Sequence, residues 1–213
     1  MKKIKRRHQI ILLILIISFL DSLLIKNISN GNPILGKTHI NQTSDASILS
    51  ELIYFPLASD CSNIEICYYE DSWKNVRTFG GNRKHEGTDL MTVKNERGIY
   101  PVVSMTDGMI EQIGWLKLGG WRIGIRSASG IYYYYAHLES YAPELVEGMQ
   151  IQAGEFLGFV GDSGYGPEGT TGQFAVHLHI GIYLPGKKAD KPVNPYPYLK
   201  KLENKKIRAK FLD

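Results

Sequence analysis

Two histidines separated by one residue, His177 and His179, are the feature of the sequence with the clearest chemical meaning. They lie in the run 174–182, where polar and apolar residues alternate as in a half-buried β-strand. Successive side chains of a strand point to opposite faces, so both imidazoles share one face while Leu178 and Ile180 take the other. Two adjacent imidazoles on the solvent face of a strand form half of a metal site.

The other histidines decide whether this pair is structural, as an isolated His-x-His usually is. The chain has six histidines, of which His8 lies in the basic N-terminus and His39 in a polar segment. His85 and His137 lie with the pair in the part of the chain that is expected to fold. Four histidines in three short motifs favour a chemical role over a structural one.

His85 and Asp89 form a motif with three residues between an imidazole and a carboxylate. Gly87 and the β-branched Thr88 disfavour a helix across it. The motif therefore differs from the helical His-Glu-x-x-His zinc motif, and Glu86 is not expected to be a general base. If a loop ends at His85 and a strand begins near Asp89, both side chains can reach one metal ion.

Adding His179 to His85 and Asp89 gives two nitrogen ligands and one oxygen ligand. With a fourth position open, this is the composition of a catalytic zinc (Zn2+) site rather than a structural one. Hydrolysis of an amide also needs a group that takes a proton from water and one that stabilises the oxyanion. The motifs offer no suitable glutamate for these roles, so His137 and His177 are the simplest candidates. Taken alone, His137 could instead be a structural residue that is hydrogen-bonded to the backbone.

Strands and turns must hold these side chains in place. The 22 glycines and 13 tyrosines favour an all-β domain, with strands predicted over 98–104, 108–114, 121–126 and 131–136. Regular glycines in 145–160 indicate the tight hairpins of a compact antiparallel β-sandwich or flattened barrel. Five glycines and one proline in Gly161–Gly172 predict a long loop before the histidine strand, a position where loops often carry function.

Charge is concentrated at the two ends of the chain. Residues 1–9 carry five Lys or Arg, residues 200–213 carry six with two acids, and the total of +4 leaves −5 for residues 10–199. The folded part is therefore not expected to bind nucleic acid.

The N-terminus has the form of an export signal, because a basic stretch precedes an apolar run over 10–20 that resumes at 23–25. An uncleaved signal anchor, forming a hydrophobic helix, is favoured over a cleaved signal peptide, and positive-inside logic places the rest of the chain outside. The expected location is the cell membrane with an extracellular domain, or the secreted or cell-wall fraction. The predicted organisation is a cytoplasmic basic segment with its anchor or signal, a linker, a catalytic domain and a basic tail, at 1–26, 27–50, 51–199 and 200–213.

The two cysteines, Cys61 and Cys67, are the only ones in the chain. Outside a membrane such a pair predicts a disulfide that closes a small loop, with two free thiols as the alternative. They cannot form a tetrahedral metal site by themselves.

Three motifs taken together resemble the signature of the lysostaphin-type (LytM-like) zinc endopeptidases of peptidoglycan: His85-x-x-x-Asp89, Tyr135-Ala136-His137-Leu138 and His177-Leu178-His179. The resemblance runs over 54–198 and includes the flanking Ser72-Trp73, Gly80-Gly81-x-Arg83, Thr106-Asp107-Gly108 and the glycine pattern of 148–158. It implies an antiparallel β domain with a groove floored by zinc. It also implies that His85, Asp89 and His179 are the ligands, that His137 and His177 are the catalytic pair, and that the substrate is a stem peptide or cross-bridge of peptidoglycan.

Phe79 departs from the pattern of some members of that family. Those members have a tyrosine six residues before the first metal ligand, which is His85 in this chain. Arg83 or the histidine pair alone could stabilise the oxyanion instead. Arg77 and Arg83 could also contact carboxylates of the stem peptide, or simply face solvent.

Two other functions are compatible with parts of the sequence. A non-hydrolytic, membrane-anchored scaffold or channel component on the same fold, for example in sporulation or cell division, would bind a partner membrane protein. Family members that have lost activity tend to lack a metal ligand or a catalytic histidine. This chain retains all of the expected ligands and both histidines of the catalytic pair. A lipoyl- or biotinyl-type carrier domain would need a lysine at a hairpin tip, which is missing near Asp107-Gly108-Met109.

Overall fold

Antiparallel strands dominate the part of the chain that the computed structural model describes, residues 44–59, 65–79 and 81–208. Within these residues there are two short helices, α1 (Ser44–Glu51) and α2 (Tyr196–Leu202). The predicted N-terminal hydrophobic helix lies outside the described residues. None of the helices that the structure describes has the length and apolar character needed to span a membrane.

Most strands join one large sheet. In chain order the strands are β1 (Cys67–Tyr68), β2 (Val76–Arg77), β3 (Arg83–Lys84), β4 (Thr88–Thr92), β5 (Pro101–Val103), β6 (Gly108–Leu116), β7 (Gly120–Arg126), β8 (Tyr132–Tyr141), β9 (Gln150–Ile151), β10 (Phe156–Val160), β11 (His177–Leu184) and β12 (Lys191–Val193). The sheet runs β1-β4-β11-β8-β7-β6-β9, with β12 beside β11 and with β10 pairing β8 and β5. Every pairing between these named strands is antiparallel, which confirms the predicted all-β fold class.

One face of the large sheet packs against the hydrophobic core. Leu178 and Ile180 of β11 and Tyr133 of β8 are fully buried there, as the alternation of the sequence predicts. The helices cover this face with Ile48 of α1 and Leu199 of α2, which are also fully buried. Burial of each such side chain contributes roughly 1.5–3 kcal/mol, so the helices are integral to the fold although they overlap the predicted linker and the start of the predicted tail.

The opposite face of the sheet is free of core packing and carries polar side chains. In the pairing of β11 with β4 and β8, His179 lies opposite Asp89 on one side and Ala136 on the other. Tyr134 and Tyr183 lie on the same face, where they line a cavity of about 810 Å³. The sheet therefore separates a hydrophobic core from a polar cleft, and the chemistry predicted from the sequence lies in the cleft.

Cys67 is a free, buried thiol in β1, and burial raises its pKa to about 12. Among the described residues Cys67 has no disulfide partner, and the predicted disulfide stays a prediction. Cys61, the other half of that prediction, lies outside the described residues. Since Cys67 contacts the core, its side chain acts as a small apolar group.

Candidate active site

Three ligand atoms from distant parts of the chain converge in the cleft. His85 Nε2 lies 3.1 Å from Asp89 Oδ1 and 3.1 Å from His179 Nδ1, and the last two atoms are 2.8 Å apart. Donors held about 2.0–2.1 Å from a tetrahedral zinc ion lie about 3.3 Å from one another. The observed triangle is close to that size, and its two imidazoles and one carboxylate suit zinc.

Strand pairing brings these ligands together. Asp89 and His179 are direct neighbours across the β4–β11 pairing, and His85 lies just before β4 begins. Between them, Gly87 leaves room for the His179 ring. A β-carbon at Gly87 would overlap Cε1 and Nε2 of His179 and the Ile180 carbonyl oxygen. Residue 87 therefore has to be glycine for the ligands to meet.

Gly87→Ala is expected to weaken zinc binding at least tenfold and to lower the free energy of unfolding by about 1–3 kcal/mol, because the added methyl group has to displace His179 or the β11 backbone. Zinc titration and denaturant unfolding measure the two effects. Gly130→Ala is the control, since Gly130 has φ +89° but no atom closer than 3.6 Å to an added β-carbon. This control should lose some stability and keep zinc. Equal zinc affinities in both variants would contradict the steric argument.

Hydrogen bonds outside the triangle orient the ligands. His85 Nδ1 lies 2.9 Å from Ser72 Oγ, 3.1 Å from Arg77 Nη2 and 3.2 Å from the Ser72 carbonyl oxygen, and these contacts orient the ring so that Nε2 faces the centre. Arg77 Nη2 donates to Asp89 Oδ2 at 2.7 Å, which leaves Oδ1 facing the histidines. Burial raises the pKa of Asp89, but hydrogen bonds from His179 and His85 outweigh it and hold the pKa well below its usual range. Asp89 is thus a carboxylate anion, as a metal ligand must be.

The predicted catalytic pair lies beside the triangle, with the ring centroids of His137 and His177 4.7 Å apart. His137 Nδ1 donates to the Ser163 carbonyl oxygen at 2.7 Å, and His177 Nδ1 donates to the Ala175 carbonyl oxygen at 2.7 Å. Burial lowers the pKa of both histidines, so both are neutral at pH 7. Each therefore keeps an unprotonated Nε2 that can accept a proton.

A β-bulge turns His137 into the cleft. The alternation of β8 sends Tyr135 into the core and Ala136 to the cleft, so His137 would face the core again in a regular strand. Instead, its φ is +65° and the register of β8 against β7 shifts between Tyr135 and Leu138. The sequence placed His137 at the end of a strand, whereas it lies in the middle of β8. Positive φ is uncommon for residues other than glycine, and such strain is concentrated at functional sites.

Sequence reasoning missed the groups that hold and flank the histidine pair. The Ser163 and Ala175 carbonyls fix its tautomers. Phe174 packs its ring 4.6 Å from His137, and Tyr165 lies 6.1 Å from the same ring. The only signals were the glycine-rich loop 161–172 for Ser163 and Tyr165 and the run 174–182 for Phe174 and Ala175, and neither assigned a role to these residues.

All five predicted site residues line the same cleft, together with charged and aromatic side chains from several elements. Arg77, Arg83 and Tyr165 lie near the ligands and the histidine pair. Further along β7 and β8, Arg126 pairs with Glu111 and Asp190 and its guanidinium lies over the Tyr132 ring. The cleft can therefore hold an extended, polar chain across a metal centre.

Comparison with known proteins identifies this arrangement. The model of peptidase family M23 matches residues 83–195, more than half of the chain, and the match includes all five site residues. The chain belongs to peptidase family M23. The lysostaphin-type resemblance predicted from the motifs is thereby confirmed. The roles of the five residues stay predictions, which the M23 match does not test.

Two curated relatives carry names that describe different substrates. A Bacillus subtilis protein named L-Ala–D-Glu endopeptidase is 42% identical over 142 residues, covering 67% of this chain and 42% of the relative. The glycyl-glycine endopeptidase ALE-1 of Staphylococcus capitis is 31% identical over 124 residues, covering 57% of this chain and 30% of the relative. The chain thus spans less than half of the length of either M23 relative.

A solved structure supports the same fold. A crystal structure of a candidate glycyl-glycine endopeptidase LytM from Ruminococcus gnavus is 51% identical to the chain, with a TM-score of 0.71. The similarity covers 81% of this chain and 71% of that one. The β architecture described above is therefore the M23 fold.

Proposed function

We propose that the chain is a zinc endopeptidase that hydrolyses peptide bonds in the stem peptides or cross-bridges of bacterial peptidoglycan. The observation that carries the proposal is the convergence of His85, Asp89 and His179 beside the His137–His177 pair in one cleft of an M23 domain. The endopeptidase names of the curated relatives support it.

The residues of the cleft have distinct roles in this proposal. Zinc bound by the three ligands would supply a Lewis acid that polarises the scissile carbonyl and makes water a stronger acid. A neutral Nε2 of the histidine pair takes the proton from the attacking water. The imidazolium so formed is stabilised by its Nδ1–H bond to the Ser163 or Ala175 carbonyl, and its Nε2–H can pass the proton to the leaving amine nitrogen.

A non-hydrolytic scaffold role is less favoured, although it would use the same fold. A scaffold needs neither an open ligand position nor unprotonated histidines beside it. Here the ligand triangle and the pair are both complete and oriented by hydrogen bonds to Ser72, Ser163 and Ala175. This arrangement is needed for hydrolysis and not for docking a partner membrane protein.

The location of the enzyme follows from the substrate and from the N-terminal sequence. We place the domain outside the cytoplasmic membrane, tethered by the segment 1–26 or released after its cleavage. The basic stretch followed by the apolar run over 10–25 supports this placement. In either form the domain would meet peptidoglycan directly, and the −5 charge of residues 10–199 gives no reason to expect nucleic acid as a partner.

Digestion of purified peptidoglycan by the zinc-loaded, full-length chain tests the proposal. Mass spectrometry should show fragments with new free amines and intact glycan strands. A chelator should abolish these products and added zinc should restore them. Intact muropeptides in the presence of one bound zinc per chain would instead favour the scaffold.

A further inference from the structure

Arg83 differs from the other arginines of the cleft because it has no acidic partner. Arg77 is paired with Asp89, and Arg126 is paired with Glu111 and Asp190. Among the residues that the structure describes, no carboxylate lies within ion-pair distance of Arg83. Its charge is therefore available to a ligand that enters the cleft.

Two neutral groups hold the Arg83 guanidinium in place. Its Nη2 donates to the phenol oxygen of Tyr165 at 2.9 Å, and its Nε lies 3.4 Å from the carbonyl oxygen of Phe79. A guanidinium has five N–H donors, so most of them remain free. Since Tyr165 accepts a hydrogen bond from Arg83, its own O–H remains able to donate.

The phenol of Tyr165 is fixed beside the catalytic pair. Its ring stacks on Phe79 with centroids 4.2 Å apart and planes 6° apart, and it meets Phe174 at 4.8 Å. The Tyr165 ring also lies 6.1 Å from His137. Its φ of +58° is a strained conformation for a residue other than glycine, so the fold holds this side chain at a particular place.

A cation with free N–H donors next to a phenol O–H is a combination that binds a carboxylate. Charge-assisted hydrogen bonds from a guanidinium to a carboxylate are among the strongest that side chains make. Arg83 and Tyr165 line the same cavity as the ligand triangle, so a carboxylate bound to them would belong to the peptide being cut.

We propose that Arg83 and Tyr165 form a carboxylate subsite that binds an acidic group of the substrate next to the scissile bond. This inference rests on the proposed function and narrows its substrate class to acidic peptides. A Glu residue with a free carboxylate beside the bond satisfies the subsite, whereas a glycine bridge has no side-chain carboxylate. Of the two bonds named for the curated relatives, the subsite suits L-Ala–D-Glu better than glycyl-glycine.

A matched pair of substrates tests the subsite in the zinc-loaded, full-length enzyme. One peptide contains L-Ala–D-Glu with a free carboxylate, and the other carries a carboxamide at that position and is otherwise identical. The wild type should cut the acid with a kcat/KM at least about tenfold above that for the amide. Arg83→Gln should lower kcat/KM for the acid about 10- to 100-fold, mainly through KM, and leave the amide within about twofold.

Further variants separate recognition from structure. Arg83→Lys should recover part of the preference for the acid, because the charge returns without the planar fork. Tyr165→Phe should reduce the preference by less than Arg83→Gln does. Lys188→Gln removes one positive charge from an exposed residue outside the cleft and should leave both rates unchanged. Equal losses on acid and amide in Arg83→Gln would overturn the proposal and favour a role of Arg83 at the oxyanion.

Binding measured without turnover keeps the inference separate from the proposed function. Calorimetry with an uncleavable analogue of each peptide should show tighter binding of the acid in the wild type and equal binding of both in Arg83→Gln. If neither peptide is cut, the proposed function fails while this difference in binding still supports the subsite. Equal affinities of the two analogues for the wild type would overturn the subsite even in an active peptidase.

Discussion

Asp89→Ala is expected to remove the bound zinc and, with it, essentially all peptidase activity. Asp89 Oδ1 lies 3.1 Å from His85 Nε2 and 2.8 Å from His179 Nδ1, so it contacts both of the other ligands. Without it, two imidazoles and the Arg77 guanidinium remain, and this partly exposed cation repels a metal ion. We expect zinc affinity to fall by more than about 100-fold, beyond the loss for residues that only support a ligand.

Metal analysis and peptidoglycan digestion on the same preparation measure the two losses. Asp71→Ala is the matched control, because Asp71 is an exposed carboxylate that accepts hydrogen bonds from Trp73 and Asn194 and lies outside the cleft. That variant should keep one zinc per chain and full activity. Retention of one zinc per chain by Asp89→Ala would remove Asp89 from the ligand set and leave the metal centre unexplained.

The parts of this site that could be predicted are those fixed by local rules. Alternation along β11 places His177 and His179 on one face because the period of a strand is two, whatever its neighbours. Gly87 and Thr88 disfavour a helix between His85 and Asp89, the first through its backbone freedom and the second through its β-branched side chain. These local rules, together with the family motifs, supplied all five residues that the structure brings into the cleft.

The parts that could not be predicted depend on contacts distant in sequence. Nothing near His137 marks the bulge that turns it, because the bulge arises from the register of β8 against β7. Arg83 and Tyr165 are 82 residues apart, so their contact is set by the packing of β3 against the loop 161–172. The burial of Ile48 likewise depends on the sheet that α1 covers, since the surrounding sequence is polar.

His177→Ala is expected to keep zinc and to lose turnover by about 10²- to 10⁴-fold, the usual contribution of a positioned acid–base group. His177 is outside the ligand triangle, with its Nε2 3.8 Å from Asp89 Oδ1, and its Nδ1–H is bound to the Ala175 carbonyl. Removing the ring therefore takes away a proton acceptor without removing a ligand. Single-turnover cleavage of peptidoglycan fragments, measured at saturating zinc, should show the loss in kcat with a smaller change in KM.

His179→Ala is the matched comparison, because the two histidines lie two residues apart on the same face of β11. If His179 is a ligand and His177 is the base, His179→Ala loses zinc and activity together, whereas His177→Ala loses activity alone. Zinc loss in His177→Ala with zinc retained in His179→Ala would exchange the two roles. Zinc loss in both variants would mean that His177 and His179 both bind the metal. The proton acceptor would then have to be His137, because its Nε2 would be the remaining unprotonated nitrogen of the His137–His177 pair.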